Sequence, residues 1–196
     1  MEIIDHRVNK IIELKKILKE YGVEIDVRDF NKNLVIQHDP FKNGVFLKKY
    51  IKNYKHGTLI INVKSEGIEF KIIKLLRKFK IRKFFFLDSS YPLIINMMKK
   101  NIKNISVRVS DYESFNNVEM LKNKFKWLWL EIFNNFKISK KQINYIKNNS
   151  LKICLVSPEL HGRAKDIKKI KRFIYKKKIK LSAVCTKIEY IKYWST

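Results

Sequence analysis

Short runs of β-branched and aromatic residues alternate with longer, lysine-studded amphipathic segments along the whole 196-residue chain. That alternation constrains the fold more than any other feature. Strand-length runs fall at 2–5, 23–28, 58–64, 83–88, 105–110, 127–133, 151–157 and 181–186. Helix-length segments lie between them, at 8–20, 46–55, 67–80, 91–100, 112–125, 139–149 and 164–178. Strict alternation requires parallel pairing with right-handed crossovers, in an open doubly wound sheet or a closed barrel. Eight strands favour an α/β fold of the small (β/α)8 TIM-barrel type, formed by residues 1–196 as a single domain. The last helix is truncated to a stub at 188–194, and 34–37, after the turn-like Asn31-Lys32-Asn33, adds a hairpin arm after strand 2.

Composition removes several classes. With 45% hydrophobic residues the chain can bury a core, so a disordered basic tail is excluded, and 5 Gly and 3 Pro are too few for a turn-rich sandwich or a linker protein. The formal charge of +26 has a compositional source: 37 of the 44 basic residues are Lys, alongside 29 Ile and 17 Asn, the pattern of an AT-rich genome. The lysines are scattered along every predicted helix rather than gathered in one basic stripe with aromatics, so nucleic acid is not the expected partner. A charge-driven nucleic-acid binder is kept only as a third reading; the field still attracts anionic ligands and, weakly, an anionic membrane surface.

Cys154 and Cys185 form no C-x-x-C and sit in apolar runs, which predicts buried reduced thiols in a cytoplasmic protein. The first eight residues already contain Glu2, Asp5, His6 and Arg7, unlike a signal peptide, and the apolar runs are too short for a transmembrane span. No glycine-rich phosphate loop follows any strand. Oligomeric state leaves no mark in the sequence.

In parallel α/β folds ligands bind at the carboxyl ends of the strands. Those ends carry Asp5-His6-Arg7, then Glu24 and Asp26, His38-Asp39, Asn62-Val63-Lys64, Asp88, Arg108-Val109-Ser110, Glu131, and Ser157-Pro158-Glu159-Leu160-His161. Glu24 and Asp26, at i and i+2 of a strand, point to one face, while Val23, Ile25 and Val27 point to the other. Two acids facing inward need cationic compensation. A hard divalent ion, Mg²⁺ or Ca²⁺, would supply it, and so would an ion pair with Lys64, Arg28 or Arg108. His6 and His38 are two of only four histidines, and as a pair they suit general acid–base work near neutral pH. Arg7 beside His6 suits a phosphate. Trp127 and Trp129 share a face of the sixth strand and are expected in the core.

The run His6-Arg7, a helix, Gly22-Val23-Glu24-Ile25-Asp26-Val27-Arg28 and then Leu34-Val35-Ile36-Gln37-His38-Asp39-Pro40 resembles the glycerophosphodiester phosphodiesterases, within the phospholipase C-like phosphodiesterase superfamily. Leu59-Ile60-Ile61-Asn62-Val63-Lys64 looks like that family's third strand. The resemblance implies a (β/α)8 barrel that hydrolyses a phosphodiester around one divalent cation. Carried over, His6 and His38 are the acid–base pair, Glu24, Asp26 and Asn62 the metal ligands, and Arg7 and Lys64 the phosphate contacts. Arg108, Glu159 and His161 are further candidates for substrate or phosphate; Glu159 and His161 are candidates for metal contact as well, and helix capping and loop structure is the reading favoured for these two. A short subset with an Asn-x-Lys third strand and a Ser-Pro-Glu-Leu-His-like segment is similar throughout, and tends to be associated with bacterial surface-polysaccharide genes. The implied substrate is a glycerophosphodiester or a phosphorylated glycan or lipid headgroup. Val8 stands where the family has Gly after His-Arg, and Asn62 where it has a carboxylate, so the cation is weakly bound or absent. The alternative is therefore a catalytically weak or inactive barrel that binds such a headgroup.

Overall fold

The computed structural model describes residues 1–122 and 124–195. The chain forms two compact units, one of Ile4–Lys100 and one of Met1–Ile3 with Asn101–Thr196.

In the first unit, β1 (Glu2–Asp5), whose first two residues belong to the other unit, pairs in parallel with β2 (Gly22–Phe30). On its other edge β2 pairs in parallel with β5 (Leu59–Val63), and β5 with β6 (Phe84–Leu87). The hairpin arm expected after strand 2 is present: β3 (Asn33–Ile36) runs antiparallel to the distal half of β2. Its partner β4 (Val45–Phe46) was not foreseen, being too short to show a period. Gly22 is required where β2 begins, because a Cβ there would lie 2.4 Å from the Thr58 carbonyl oxygen. Residues 22–27 are buried without alternation, as expected for a strand covered on both faces. Helices α2 (Leu47–Lys52) and α3 (Glu69–Lys78) bury Leu47, Tyr50 and Ile51, and Ile72, Ile73 and Leu76. The Tyr50 hydroxyl donates to the Val8 carbonyl at 2.7 Å, tying α2 to the loop after β1. Helix α4 (Tyr91–Lys99) starts with Pro92 in its first turn.

The helix predicted over 8–20 is the main correction here: α1 spans only Ile11–Leu14. Of its predicted apolar stripe only Val8, Leu14 and Ile17 are buried, while Ile12 and Leu18 are 65% and 57% exposed. After Lys15 the backbone bonds tighten to i→i−3, Lys16 to Glu13 and Ile17 to Leu14. Two buried side chains three residues apart suit such a turn and are too few to hold a longer helix.

In the second unit β7 (Ser106–Val109), β8 (Trp127–Leu130), β9 (Lys152–Val156) and β10 (Ala183–Thr186) pair in parallel in that order. Trp127 and Trp129 are buried, as expected, and Cys154 and Cys185 are buried free thiols. The helix predicted over 112–125 shrinks to α5 (Asn116–Met120), with Asn123 outside the described residues. The Ser110 hydroxyl accepts the Tyr112 and Glu113 N–H groups, which makes a turn of the segment's start. Helix α6 (Lys140–Asn148) has the Ser139–Gln142 capping box, and α7 (Ile167–Lys176) follows a 3₁₀ turn. The expected stub is a 3₁₀ segment, Ile188–Tyr193. All eight expected strands are thus present in an α/β fold, and no helix of the described residues is long and apolar enough to cross a membrane.

Candidate active site

Strand register assembles the first-unit residues. Gly22 aligns with Ile4, and Asp26 aligns with Asn62, so Glu24, Asp26 and Asn62 share one face, and the chain leaving β1 carries His6 past Glu24. Glu24 and Asp26 are fully buried and Asn62 is 8% exposed. The His6 Nε2 lies 3.8 Å from Glu24 Oε2. Arg7 takes the left-handed conformation, φ 58°, which turns its backbone N–H onto Glu24 Oε2 at 2.7 Å. Its side chain reaches back to bring Nε within 3.5 Å of Asp26 Oδ2. Lys64 Nζ lies 3.5 Å from Asp26 Oδ1 and 3.9 Å from Asp88 Oδ2, Asp88 being a second left-handed residue, φ 58°, at the end of β6.

Three oxygens of this face, Glu24 Oε1, Asp26 Oδ1 and Asn62 Oδ1, are shielded from solvent and accept no hydrogen bond. Burial, and then the neighbouring Asp26 charge, pushes the Glu24 carboxyl up to about 7, against the pull of Asn62, the Arg7 N–H and Lys64. Among the described residues no group of three or more His, Cys, Asp or Glu side chains is gathered as a metal cluster; the third oxygen beside the two carboxylates belongs to an amide.

His38 follows β3 and is 43% exposed at its side chain, with Nδ1 2.9 Å from Asp39 Oδ1. Lys42 and then His38 hold Asp39 low, at about 2. Arg28 fixes the position of His38: Nε donates to the Gln37 carbonyl at 3.2 Å, and Nη2 to the His38 and Lys64 carbonyls at 3.2 and 3.3 Å. Sequence reading offered Arg28 as an ion-pair partner of the acids; its guanidinium instead bonds carbonyls of two neighbouring segments. Asn9 was missed altogether. Its Nδ2 donates to Asp26 Oδ2 at 2.8 Å, and the Asp26 N–H donates to Asn9 Oδ1 at 3.0 Å. The only sequence signal was its place just after His-Arg.

The remaining candidates lie in the second unit. Arg108 pairs with Glu131 through Nη1 and lies 3.4 Å from Glu113 through Nε. Glu131, 4% exposed, also accepts from His161 Nε2 at 2.7 Å. Burial, then the Arg163 and Arg108 charges, lowers the His161 pKa. Glu159 accepts from Ser157, from Thr186 Oγ1 at 2.5 Å and from the Lys187 N–H at 3.3 Å, which ties the ends of β9 and β10 together.

No family model matches the chain, and no curated protein matches it. Solved structures do. A glycerophosphodiester phosphodiesterase from Agrobacterium tumefaciens str. C58 aligns over 94% of this chain and 96% of its own, with a TM-score of 0.66 and 13% identity. A protein from Galdieria sulphuraria assigned as a glycerophosphodiester phosphodiesterase aligns over 100% and 98%, with a TM-score of 0.69 and 11% identity. The chain therefore shares the fold of these proteins, in agreement with the resemblance carried by its first 40 residues.

Proposed function

We propose that the chain is a phosphodiester hydrolase of the glycerophosphodiester phosphodiesterase type, working on a glycerophosphodiester or on a phosphorylated glycan or lipid headgroup. The single observation that carries this reading is the fully buried pair Glu24 and Asp26, faced by His6, Arg7 and Lys64 on one set of strand ends. Two buried carboxylates with undonated oxygens are costly in a structure that has no use for them. The parallel strands and the fold likeness support a single closed (β/α)8 barrel.

The donor set fits a hard cation: the three undonated oxygens are two carboxylate oxygens and an amide carbonyl. Glu24, Asp26 and Asn62 would hold Mg²⁺ or Ca²⁺, which when bound neutralises phosphate oxygens against nucleophilic attack. Lys64 and Arg7 supply positive charge to the same phosphate, Arg7 through a guanidinium that is 46% exposed. Of the two imidazoles, one takes the proton from water or a substrate hydroxyl and the other protonates the leaving alkoxide. Asp39, hydrogen-bonded to His38 Nδ1, orients that ring, and the Glu24 carboxyl lies 3.8 Å from His6 Nε2.

Asn62 favours a second reading, a catalytically weak or inactive barrel that binds a phosphorylated headgroup. Lys64 and Arg7 already compensate Asp26 in the way the ion-pair reading expected. Calorimetric titration with Mg²⁺ and Ca²⁺, followed by assay of glycerophosphodiesters and a bis-aryl phosphodiester, separates the two. Cation-dependent turnover supports the hydrolase, and headgroup binding without turnover supports the second reading.

A further inference from the structure

A groove of about 740 Å³ opens on the first unit, and none of its lining residues belongs to the carboxylate cluster. Helices α2 and α3 build it from the faces they do not bury. Lys48, Lys49 and Lys52 come from α2, and Lys71, Lys74 and Lys78, a stripe at i, i+3 and i+7, from α3. Lys32, in the turn between β2 and β3, completes a set of seven lysines with no Asp or Glu among the lining residues. All seven are exposed, and among the described residues none of them pairs with a carboxylate. The floor is apolar, made by Leu34, Leu75 and Phe46, whose side of the groove is open enough to leave Phe46 50% exposed.

We propose that this groove docks the protein on an anionic phospholipid bilayer. Ammonium groups around an apolar floor match an interface that offers phosphates outside and hydrocarbon beneath, with lysine stems lying along the apolar surface while their charges reach the headgroups. The groove contains no arginine. Point charges without guanidinium forks suit a diffuse field of lipid phosphates better than a phosphate held in fixed geometry. A single aromatic is also too few for a strand of stacked bases. The proposal is independent of the hydrolase reading.

Flotation with phosphatidylcholine vesicles, with and without phosphatidylglycerol, tests it on the full chain. Wild type should float with the anionic vesicles alone, and raised salt should release it. Combined Lys71→Gln, Lys74→Gln and Lys78→Gln should weaken partition about a hundredfold. Combined Lys48→Gln, Lys49→Gln and Lys52→Gln, on a different helix, should do the same if the α3 set fails to fold. A control with the same charge change, Lys141→Gln, Lys168→Gln and Lys176→Gln, should retain most of the binding. Phe46→Ser should weaken partition about tenfold with its salt dependence unchanged. Equal losses in groove and control variants would reduce the effect to net charge and overturn the proposal. So would absence of binding to anionic vesicles, or tighter groove-dependent binding to a single-stranded polynucleotide at the same ionic strength.

Discussion

Asn9 and Asp26 hold each other by two hydrogen bonds, side chain to side chain at 2.8 Å and backbone to side chain at 3.0 Å. The bonds lock the loop after β1 onto a carboxylate that has no solvent contact. Replacing Asn9 by Ala removes both, one of them to a charge, and should cost about 2 to 3 kcal/mol in urea unfolding. Asn9→Asp should cost more at neutral pH, because it sets a second carboxylate against Asp26.

Lys64 is the cation shared by Asp26 and Asp88. Lys64→Met keeps much of the stem and deletes the charge, which leaves Asp26 Oδ1 without its nearest ammonium. A loss of about 2 to 3 kcal/mol is expected at neutral pH, since breaking a buried pair exposes the remaining charge to its desolvation cost. Urea midpoints of wild type and variant measure it.

The pH dependence of stability follows from Glu24. Its carboxyl titrates at about 7 in the folded chain against 4.5 in the unfolded one, so between those values the folded state holds a proton that the unfolded state has lost. Stability from this group is therefore complete below about pH 4.5 and falls as pH rises through 7, by about 3 kcal/mol in total. Glu24→Gln should abolish that slope in cation-free buffer, as read from unfolding free energies across the range. A slope unchanged in the variant would assign it to other groups.

Arg28 joins the segment after β3 to the segment after β5 through three carbonyl bonds. Arg28→Ala should raise hydrogen exchange at residues 37–40 and around Lys64 without unfolding β2. Arg28→Lys should give nearly the same result, because an ammonium keeps the charge but not the fork.

The eight strands and the acid pair were legible because burial on both faces and i, i+2 spacing are properties of a single segment. What was hidden depends on neighbours. The stripe from Val8 to Leu18 reads as an amphipathic helix, yet only Val8, Leu14 and Ile17 find a core to enter. Arg28 lies on the same strand face as the two acids, and only the register of β2 with β3 and β5 reveals that its reach ends on carbonyls. Asn9 is an ordinary loop residue until β2 is placed beside it. His6 and His38, alike in sequence, have different surroundings: one against a buried carboxylate, the other exposed and paired with Asp39.

The most direct test of the central claim is hydrolysis of a bis-aryl phosphodiester and of glycerophosphodiesters by the full chain, with Mg²⁺, with Ca²⁺ and with chelator, alongside His6→Ala, His38→Ala and Glu24→Gln. The account predicts cation-dependent turnover that drops at least a hundredfold in each variant, in line with loss of a general acid–base group or of a metal ligand. Turnover that is absent under all conditions, or that persists unchanged in His6→Ala and His38→Ala, would contradict it.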